Sequence, residues 1–208
     1  MTRLLCLIML PLGVLLSAEM LAAQSVAIQS NRSKLEQIKD FSLKGEARSE
    51  FKEFRRKSEY FGSIYVNRPE RVAGSFQNTN SVELADYYAR AACQVKSKRP
   101  QNCVLYARVK PRKYKPTKNT QTLSREANIE FKEYLRLQDR KRFGAFAASD
   151  NGAFGYSWAE ASWKEAEQEA LKRCSKSARK LMRKTPKLLR PIVATPSNHG
   201  CKLVHKSD

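Results

Sequence analysis

The stretch from residue 143 to residue 174 has the clearest alternation of apolar and polar positions in the chain. Two short apolar runs flank the Asp-Asn-Gly tripeptide at 150–152. These three residues tolerate positive φ angles, so the pattern predicts a β-hairpin. Gly155 lies within the return strand, where the missing side chain would let another element approach closely.

A helix is predicted directly after this hairpin. Ser162 and Glu165 have the spacing of a capping box, in which the Ser oxygen and the Glu carboxylate each accept a hydrogen bond from a free backbone N–H. The apolar residues that follow recur on one helical face, and the small ones among them would allow close packing on the hairpin. These residues are Trp163, Ala166, Ala170 and Cys174.

The first half of the chain repeats this pattern. The sequence Glu-Ala-x-x-Glu-Phe-Lys-Glu at 46–53 recurs 80 residues later at 126–133. Phe61-Gly62 recurs as Phe143-Gly144, and Cys93 recurs as Cys174 with a similar offset. Val82, Ala85, Ala89 and Cys93 repeat the spacing of the helical face. Agreement at so many ordered positions predicts an internal duplication.

We therefore predict an α+β fold of two tandem ββαβ-like units, stabilised by disulfides and joined by connecting helices. A closing strand is predicted after the second cysteine of each unit, at 104–106 and at 202–204. A further helix is predicted before the first unit, because Ser33 and Glu36 also have capping-box spacing. The predicted segments are a signal peptide at 1–23, a helical lead at 24–45, unit 1 at 46–110, a basic linker at 111–125, and unit 2 at 126–208 with a basic insertion at 175–200.

The N-terminal residues have the layout of a secretory signal peptide. Arg3 precedes an apolar run at 4–16, and small residues follow at 18, 22 and 23. A retained signal anchor is the alternative, but the run is short for a membrane span of about 20 residues. We therefore expect an exported protein, either periplasmic or extracellular.

Charge and cysteine content fit an exported chain. The 208 residues include 40 Lys and Arg against 20 Asp and Glu, a net charge of +20 that favours anionic partners. Four cysteines follow the predicted signal peptide, and in an oxidising compartment they predict two disulfides, each stabilising by about 2–4 kcal/mol. Three connectivities are open, and the duplication favours Cys93–Cys103 with Cys174–Cys201. No Cys-x-x-Cys pair indicates a metal site, and no cofactor is expected.

These motifs resemble the secreted bacterial family called domain of unknown function 4189. The resemblance is carried by Phe-Gly-Ala at 143–145, Gly-Tyr-Ser-Trp at 155–158, the Ser-capped helix at 162–174 and Cys-Lys-Leu-Val at 201–204. It covers the second unit well and the first weakly. It implies export and a fold, but no activity, since the family is uncharacterised. Residues 175–200 depart from the family pattern, in which the gap between the two cysteines is usually short.

The insertion contains the candidate anion-binding residues. The chain has no acidic residue between Glu169 and Asp208, and leucines interleave with the cations before and after Pro186. This pattern is typical of a basic amphipathic helix broken at proline, which can lie on an anionic membrane surface. A solvated, partly disordered loop is the alternative. The candidates are Lys176, Arg179, Lys180, Arg183, Lys184, Lys187 and Arg190. A second basic cluster at 110–118 is interpreted as a linker.

Other candidate sites have weaker support. Tyr156, Trp158 and Trp163 would suit a sugar or peptide site, but such aromatic residues more often belong to the core. A basic surface also suits nucleic acid, yet no DNA- or RNA-binding motif accompanies the charge, and export would separate the protein from the genome. Dedicated nucleic-acid binding is therefore not expected.

No catalytic residues are predicted. The only histidines, His199 and His205, flank Cys201, so Ser197 with His199 or Cys201 with His205 could be drawn as a nucleophile and its base. A third group that would orient the base is missing from both pairs, and Cys201 is expected to be oxidised.

The sequence therefore predicts a non-enzymatic interaction protein. Its partner would be an anionic envelope component, such as a glycolipid, a polymer or a membrane face contacted peripherally. The alternative is a protein-binding module, or an inhibitor of an acidic envelope or foreign enzyme, that uses the turn and return strand at 149–158.

Overall fold

The computed structural model describes residues 25–57, 59–116, 120–138, 142–195 and 200–207. These residues form an α+β fold with five α-helices and nine strands in three sheets. The predicted signal peptide lies outside the described residues.

Each half of the chain contains a helix, a hairpin, a second helix and a closing strand, in that order. The first half contains β1 (Ser25–Val26), β2 (Ser33–Gln37), α1 (Gly45–Lys57), β3 (Gly62–Asn67), β4 (Val72–Phe76), α2 (Val82–Gln94) and β5 (Val104–Pro111). The second half contains β6 (Thr120–Gln121), α3 (Arg125–Leu137), β7 (Phe143–Ala148), β8 (Phe154–Glu160), α4 (Trp163–Lys184), α5 (Arg190–Val193) and β9 (Lys202–Ser207). Helix, hairpin, helix and closing strand therefore follow each other twice, with α5 added before the second closing strand.

The hairpin and the closing strand have the same arrangement in both of the larger sheets, and β2 is an additional edge strand in the first. In the order β2-β5-β3-β4 and in the order β8-β7-β9, the first strand of the hairpin lies between its return strand and the closing strand, and all neighbours are antiparallel. The register of the closing strand shifts at Ile64/Tyr65 in one sheet and at Phe146/Ala147 in the other. Both predicted hairpins and both predicted closing strands are confirmed.

Each hairpin is covered by a helix that approaches it through a glycine. A Cβ atom built on Gly74 would lie 2.1 Å from the backbone N of Cys93, and one built on Gly155 would lie 2.2 Å from that of Cys174. No side chain fits at such distances, so the predicted close approach is confirmed. The helix faces against the hairpins carry small buried residues. They are Ala85, Ala89 and Cys93 in α2, and Ala166, Ala170 and Cys174 in α4.

Two disulfides join these helices to the closing strands. Cys93 is bonded to Cys103 and Cys174 to Cys201, each with a Cα–Cα distance of 6.1 Å. This is the pairing that the repeated sequence pattern favoured. Disulfides of this kind are typical of a compartment outside the cytoplasm.

The predicted helical lead is wrong in the region of Ser33. Residues 33–37 form strand β2, which pairs antiparallel with β5 from Ser33 opposite Pro111 to Gln37 opposite Ala107. Leu35 packs against the core of the first half, while Lys34 and Glu36 point to solvent. Pairing with β2 covers an otherwise open edge of β5. The hydrogen bonds and packing of this long-range pairing outweigh the local preference for a capped helix. The first helix begins only at Gly45.

A buried polar junction connects the two halves. Asn80, in the loop after β4, donates from Nδ2 to the carbonyl of Ser149 (2.7 Å), and its Oδ1 accepts from the backbone N–H of Ser124 (2.9 Å). Ser124 is the N-cap of α3, and its hydroxyl donates to the carbonyl of Gly152 (3.1 Å). A buried amide with both ends paired fixes one orientation. The loop of the first half is thereby held against the hairpin turn of the second.

Candidate anion-binding surface

Helix α4 begins where the sequence predicts. Ser162 is the N-cap, and its hydroxyl accepts a hydrogen bond from the backbone N–H of Glu165 (3.3 Å). Trp163 is half-buried and its ring lies 5.0 Å from that of Phe143, so it faces the sheet as expected. Cys174 then attaches the middle of the helix to β9 through the second disulfide.

Beyond Cys174, α4 continues where α2 stops. Helix α2 has 13 residues and ends directly after Cys93, whereas α4 has 22 residues and ends at Lys184. We call residues 175–184 the helix extension and residues 185–195 the return segment. The backbone N–H of Thr185 bonds to the carbonyls of Leu181 and Met182, and Pro186 follows, so the predicted break at proline is confirmed.

The return segment folds back onto the first half of the molecule. Leu189 and Val193 are buried in a cluster with Tyr88 and Ala92 of α2. Met182 of the helix extension packs against the edge of the same cluster. The insertion is therefore not a solvated loop over residues 175–195, because its apolar positions are used to bridge the two halves.

Arg190 differs from the other candidate cations. Its Nε donates to the carbonyl of Thr185 (3.0 Å) and its Nη2 to the carbonyl of Arg183 (3.1 Å). Carbonyl groups at a helix C-terminus lack partners within the helix, and a cation there also interacts favourably with the helix dipole. Arg190 thus terminates α4, and its guanidinium is not free for a ligand in this arrangement.

The remaining candidates form a continuous cationic surface. Five of them recur at i, i+3, i+4, i+7 and i+8, which places them on one face within about 12 Å of helix length. We call this set the basic stripe: Lys176, Arg179, Lys180, Arg183 and Lys184. All five side chains are exposed, as is Lys187 just beyond the helix. Within the described ranges none of the six forms an ion pair.

Two neighbouring cations earlier in the same helix share one carboxylate. Glu169 accepts from Lys172 Nζ (3.1 Å) and from Arg173 Nε (2.9 Å), and these interactions lower the pKa of Glu169. No carboxylate follows in α4, so the stripe keeps its full charge. Like charges at i and i+4 destabilise a helix by about 0.2–0.5 kcal/mol per pair. The packing of the return segment and the C-terminal position of the cations in the helix offset this cost.

An exposed apolar residue lies beside the stripe. Leu188 is 71% exposed, while its neighbour Leu189 is 5% exposed. Leu188 follows Lys184 and Lys187 in the sequence, just beyond the end of α4, and an apolar residue next to several cations is typical of amphipathic segments.

The aromatic residues of β8 are divided between core and surface. Tyr156 packs beside the core of the second half and donates from its hydroxyl to Glu130 Oε2 (3.0 Å). Trp158 is 39% exposed, so its assignment to the core is wrong. Gly155 and Ser157 occupy the face of β8 that is covered by α4, and Trp158 lies on the opposite face, near the end of the strand. The alternation of small and aromatic residues in 154–158 is the signal that could have shown this.

Of the two candidate nucleophile pairs, the structure describes only Cys201 with His205. Cys201 is held in a disulfide, and Ser197 and His199 lie outside the described residues. His205 Nδ1 lies 3.2 Å from the hydroxyl of Tyr134, and the ring contacts the aromatic ring of Phe131. Burial lowers the pKa of His205 because it penalises the charged imidazolium.

The described residues form neither a metal-binding cluster nor a membrane-spanning helix. Three or more His, Cys, Asp or Glu side chains do not come together there in a way that could hold a metal ion. Nor does any helix in those ranges combine the length and the apolar character needed to cross a membrane.

Comparisons with known proteins identify no relative. No protein-family model matches the chain, and no curated protein and no solved structure matches it.

Proposed function

We propose that this chain is an exported, non-enzymatic interaction protein that binds an anionic envelope component through the basic stripe. The observation that carries the proposal is the presentation of five unpaired cations on one face of a braced helix. A helix fixed at Cys174 and by the return segment keeps its cations at set spacings, so less side-chain and backbone freedom is lost on binding. Export is supported by the N-terminal sequence and by the two disulfides.

Among anionic partners we favour a membrane face or glycolipid layer. The exposed Leu188 adds an apolar contact that a purely polyanionic ligand would not use. Each cation close to an anionic surface contributes about 1 kcal/mol, and the contribution decreases with distance over the Debye length. A rigid stripe brings its charges to such a surface together.

The proposal includes an origin of the scaffold by internal duplication, with a family resemblance to the domain of unknown function 4189. Equivalent interactions in the two halves support the duplication. An ion pair between the covering helix and the closing strand occurs as Asp86–Arg108 and as Glu167–Lys206. A hydroxyl of the return strand donates to a glutamate of the preceding helix from Ser75 to Glu50 (2.6 Å) and from Tyr156 to Glu130 (3.0 Å).

The experiment is binding of the protein to vesicles of mixed anionic and zwitterionic lipid over a salt series, with duplex DNA as a second probe. The stripe variant changes four residues of the stripe (Arg179, Lys180, Arg183 and Lys184) and the adjacent Lys187 to Gln, which removes five charges and keeps a high helix propensity. We expect vesicle affinity to fall steeply with salt and to drop at least 100-fold in the variant. Equal binding by the two proteins, or no binding by either at moderate salt, would eliminate the proposal.

Leu188→Ala separates a membrane from other polyanions. This change leaves every charge in place, so DNA binding is expected to stay the same while vesicle binding weakens several-fold. If vesicle and DNA affinities respond equally, the ligand is recognised by charge alone.

A second candidate function is a protein-binding module, and the exposed Trp158 favours it. Aromatic side chains that are exposed on a rigid strand are frequent anchors of protein interfaces. Such a module, for example an inhibitor of an acidic enzyme, would bind one discrete partner. Trp158→Ala would then abolish capture of an acidic protein, while the stripe variant would mainly slow association.

A further inference from the structure

A second cationic region lies in a cleft where three segments of the first half meet the start of α3. The cleft has a volume of about 660 Å³. It is lined by five cations and no carboxylate, together with two polar residues. The cations are Arg32, Lys34, Lys57, Arg112 and Arg125, and the polar residues are Asn31 and Ser33.

Hydrogen bonds to backbone carbonyls position two of the five residues. The N–H of Arg112 donates to the carbonyl of Arg32 (2.9 Å), so the residue after β5 is fixed beside the residue before β2. Arg125 donates from Nε to the carbonyl of Asn31 (3.0 Å), which orients its guanidinium at the first residue of α3. The backbone of Arg112 and the guanidinium of Arg125 are thereby held at Arg32 and Asn31, directly before β2.

The charges of the cleft are only partly compensated. Lys57 pairs with Glu53 (3.1 Å), and Arg125 lies 3.9 Å from Glu59. Within the described part of the chain, Arg32, Lys34 and Arg112 form no ion pair. Three cations that face one cleft repel each other, and a bound anion would relieve this repulsion.

A hydroxyl in the same cleft lacks a partner. Ser33 Oγ is buried and forms no hydrogen bond with the described residues. A buried hydroxyl without a partner is costly, and such groups in native proteins call for an explanation. An oxygen-rich anion in the cleft would accept this hydrogen bond, as well as the bidentate bonds of the arginines.

We propose that this cleft binds a phosphate group, through Arg32, Arg112 and Arg125 as charged donors and Ser33 as a neutral one. Phosphate presents several acceptor oxygens and up to two negative charges, which match the guanidinium groups of the three arginines and the hydroxyl of Ser33. The phosphate can belong to a soluble phosphate or diphosphate, or to a lipid headgroup. The site is separate from the basic stripe and does not depend on the function proposed for it.

The test is calorimetric titration of the full chain at about 0.15 M salt, near physiological ionic strength. The probes are inorganic phosphate, pyrophosphate and a short-chain, water-soluble phosphatidic acid. We expect one saturable site per chain for at least one probe. Tighter binding of pyrophosphate identifies a soluble ligand, and tighter binding of the phosphatidic acid identifies a headgroup. Absence of saturable binding for all three probes overturns the proposal.

Two matched variants distinguish a site from general charge. Arg32→Gln with Arg112→Gln is expected to weaken binding at least tenfold, while Arg179→Gln with Arg183→Gln, the same loss of charge in the stripe, leaves it unchanged. Equal weakening in both overturns the site. Because the stripe pair belongs to the vesicle experiment, failure of one proposal leaves the other standing.

Ser33→Ala tests recognition without any change of charge. We expect phosphate affinity to fall three- to tenfold, while thermal unfolding shows that the variant is as stable as the original chain or more so. Unchanged affinity in a folded Ser33→Ala variant would contradict the assigned role of the hydroxyl.

Discussion

Helices α2 and α4 are built alike up to a cysteine and differ after it. Each begins at a serine N-cap: Ser81 accepts from the N–H of Leu84 (3.1 Å) and Ser162 from that of Glu165 (3.3 Å). Each lies on its hairpin through a glycine and is joined to a closing strand by a disulfide. Only α4 continues, and its additional turns carry the basic stripe.

This difference separates the scaffold from the part that we propose to be functional. The contacts of both helices with their hairpins end near the cysteine, so a chain that stopped there would still have its helix–hairpin core. The helix extension contributes exposed charge, and the return segment connects it to α2 of the other half. Equivalent substitutions in the helix–hairpin cores should therefore lower the stability of the protein to a similar extent. Substitutions in the helix extension or the return segment should instead alter ligand binding or the contact between the two halves.

The largest effect is expected for the two glycines under the helices. Gly74→Ala and Gly155→Ala each place a methyl group about 2 Å from a backbone nitrogen, which forces the helix away from its hairpin. We expect each change to lower the free energy of unfolding by roughly 3 kcal/mol or more. Urea denaturation measures this loss of stability. Ala147→Gly in β7 is the control, for which we expect a loss of about 1 kcal/mol. A much larger loss in one half than in the other would show that the two contacts are not equivalent.

The next effect concerns the return segment, which has no counterpart in the first half. Leu189→Ala removes a side chain buried against α2 and should destabilise the protein by about 2–4 kcal/mol. Leu188→Ala, one residue earlier, removes an exposed side chain and should change stability by less than about 0.5 kcal/mol. If both changes are neutral in thermal unfolding, the return segment does not brace the helix extension.

A smaller effect is expected from the protonation of His205, which has no counterpart in the first half. His205 pairs with Phe146 in the position where Ala107 pairs with Ile64. Burial lowers the pKa of His205 below its ordinary value of 6.5, so the unfolded chain binds a proton at a pH where the folded chain does not. The free energy of unfolding therefore falls as the pH drops below about 6.5, by at most about 1.4 kcal/mol per pH unit. His205→Gln should flatten this slope between pH 7.5 and pH 5, and an unchanged slope would assign it to other groups.

The smallest effect concerns one residue at the end of each hairpin, two positions after β4 in the first half and the second-last position of β8 in the second half. Asn78 and Ala159 both have positive φ angles, 62° and 60°. Asn tolerates this left-handed conformation, while Ala is strained in it. Ala159→Asn should therefore stabilise the protein by about 0.5 kcal/mol, and Asn78→Ala should destabilise it. Chemical denaturation can resolve such a difference, and a loss of stability in Ala159→Asn would contradict the explanation.

Much of the scaffold could be predicted because its signals are local. The Asp-Asn-Gly turn, the capped helices with their alanine faces and the glycines beneath them each depend on residues close together in sequence. The disulfide pairing followed from the repeat. Strand β2 was missed because its pairing with β5 joins residues that are far apart, and the capping spacing at Ser33 indicated a helix.

The candidate site was predicted only in part. The basic amphipathic pattern located the helix extension and its break at Pro186. Its attachment to α2 could not be derived, since Leu189 and Tyr88 meet only through the tertiary fold. Arg190 looked like any other cation until its hydrogen bonds to carbonyls were known. The phosphate cleft draws its cations from four separate segments, so no single stretch of sequence indicates it.

The central claim is that the arrangement of the stripe, and not the net charge, determines binding. The decisive measurement is the affinity for anionic vesicles, at about 0.15 M salt, of two variants with the same net charge. One is the stripe variant. In the other, five exposed cations far apart in the sequence are changed to Gln: Lys39, Lys52, Lys98, Lys115 and Lys164. We predict that the stripe variant binds at least tenfold more weakly than the dispersed variant. Equal affinities would mean that total charge alone accounts for binding, and would contradict the account.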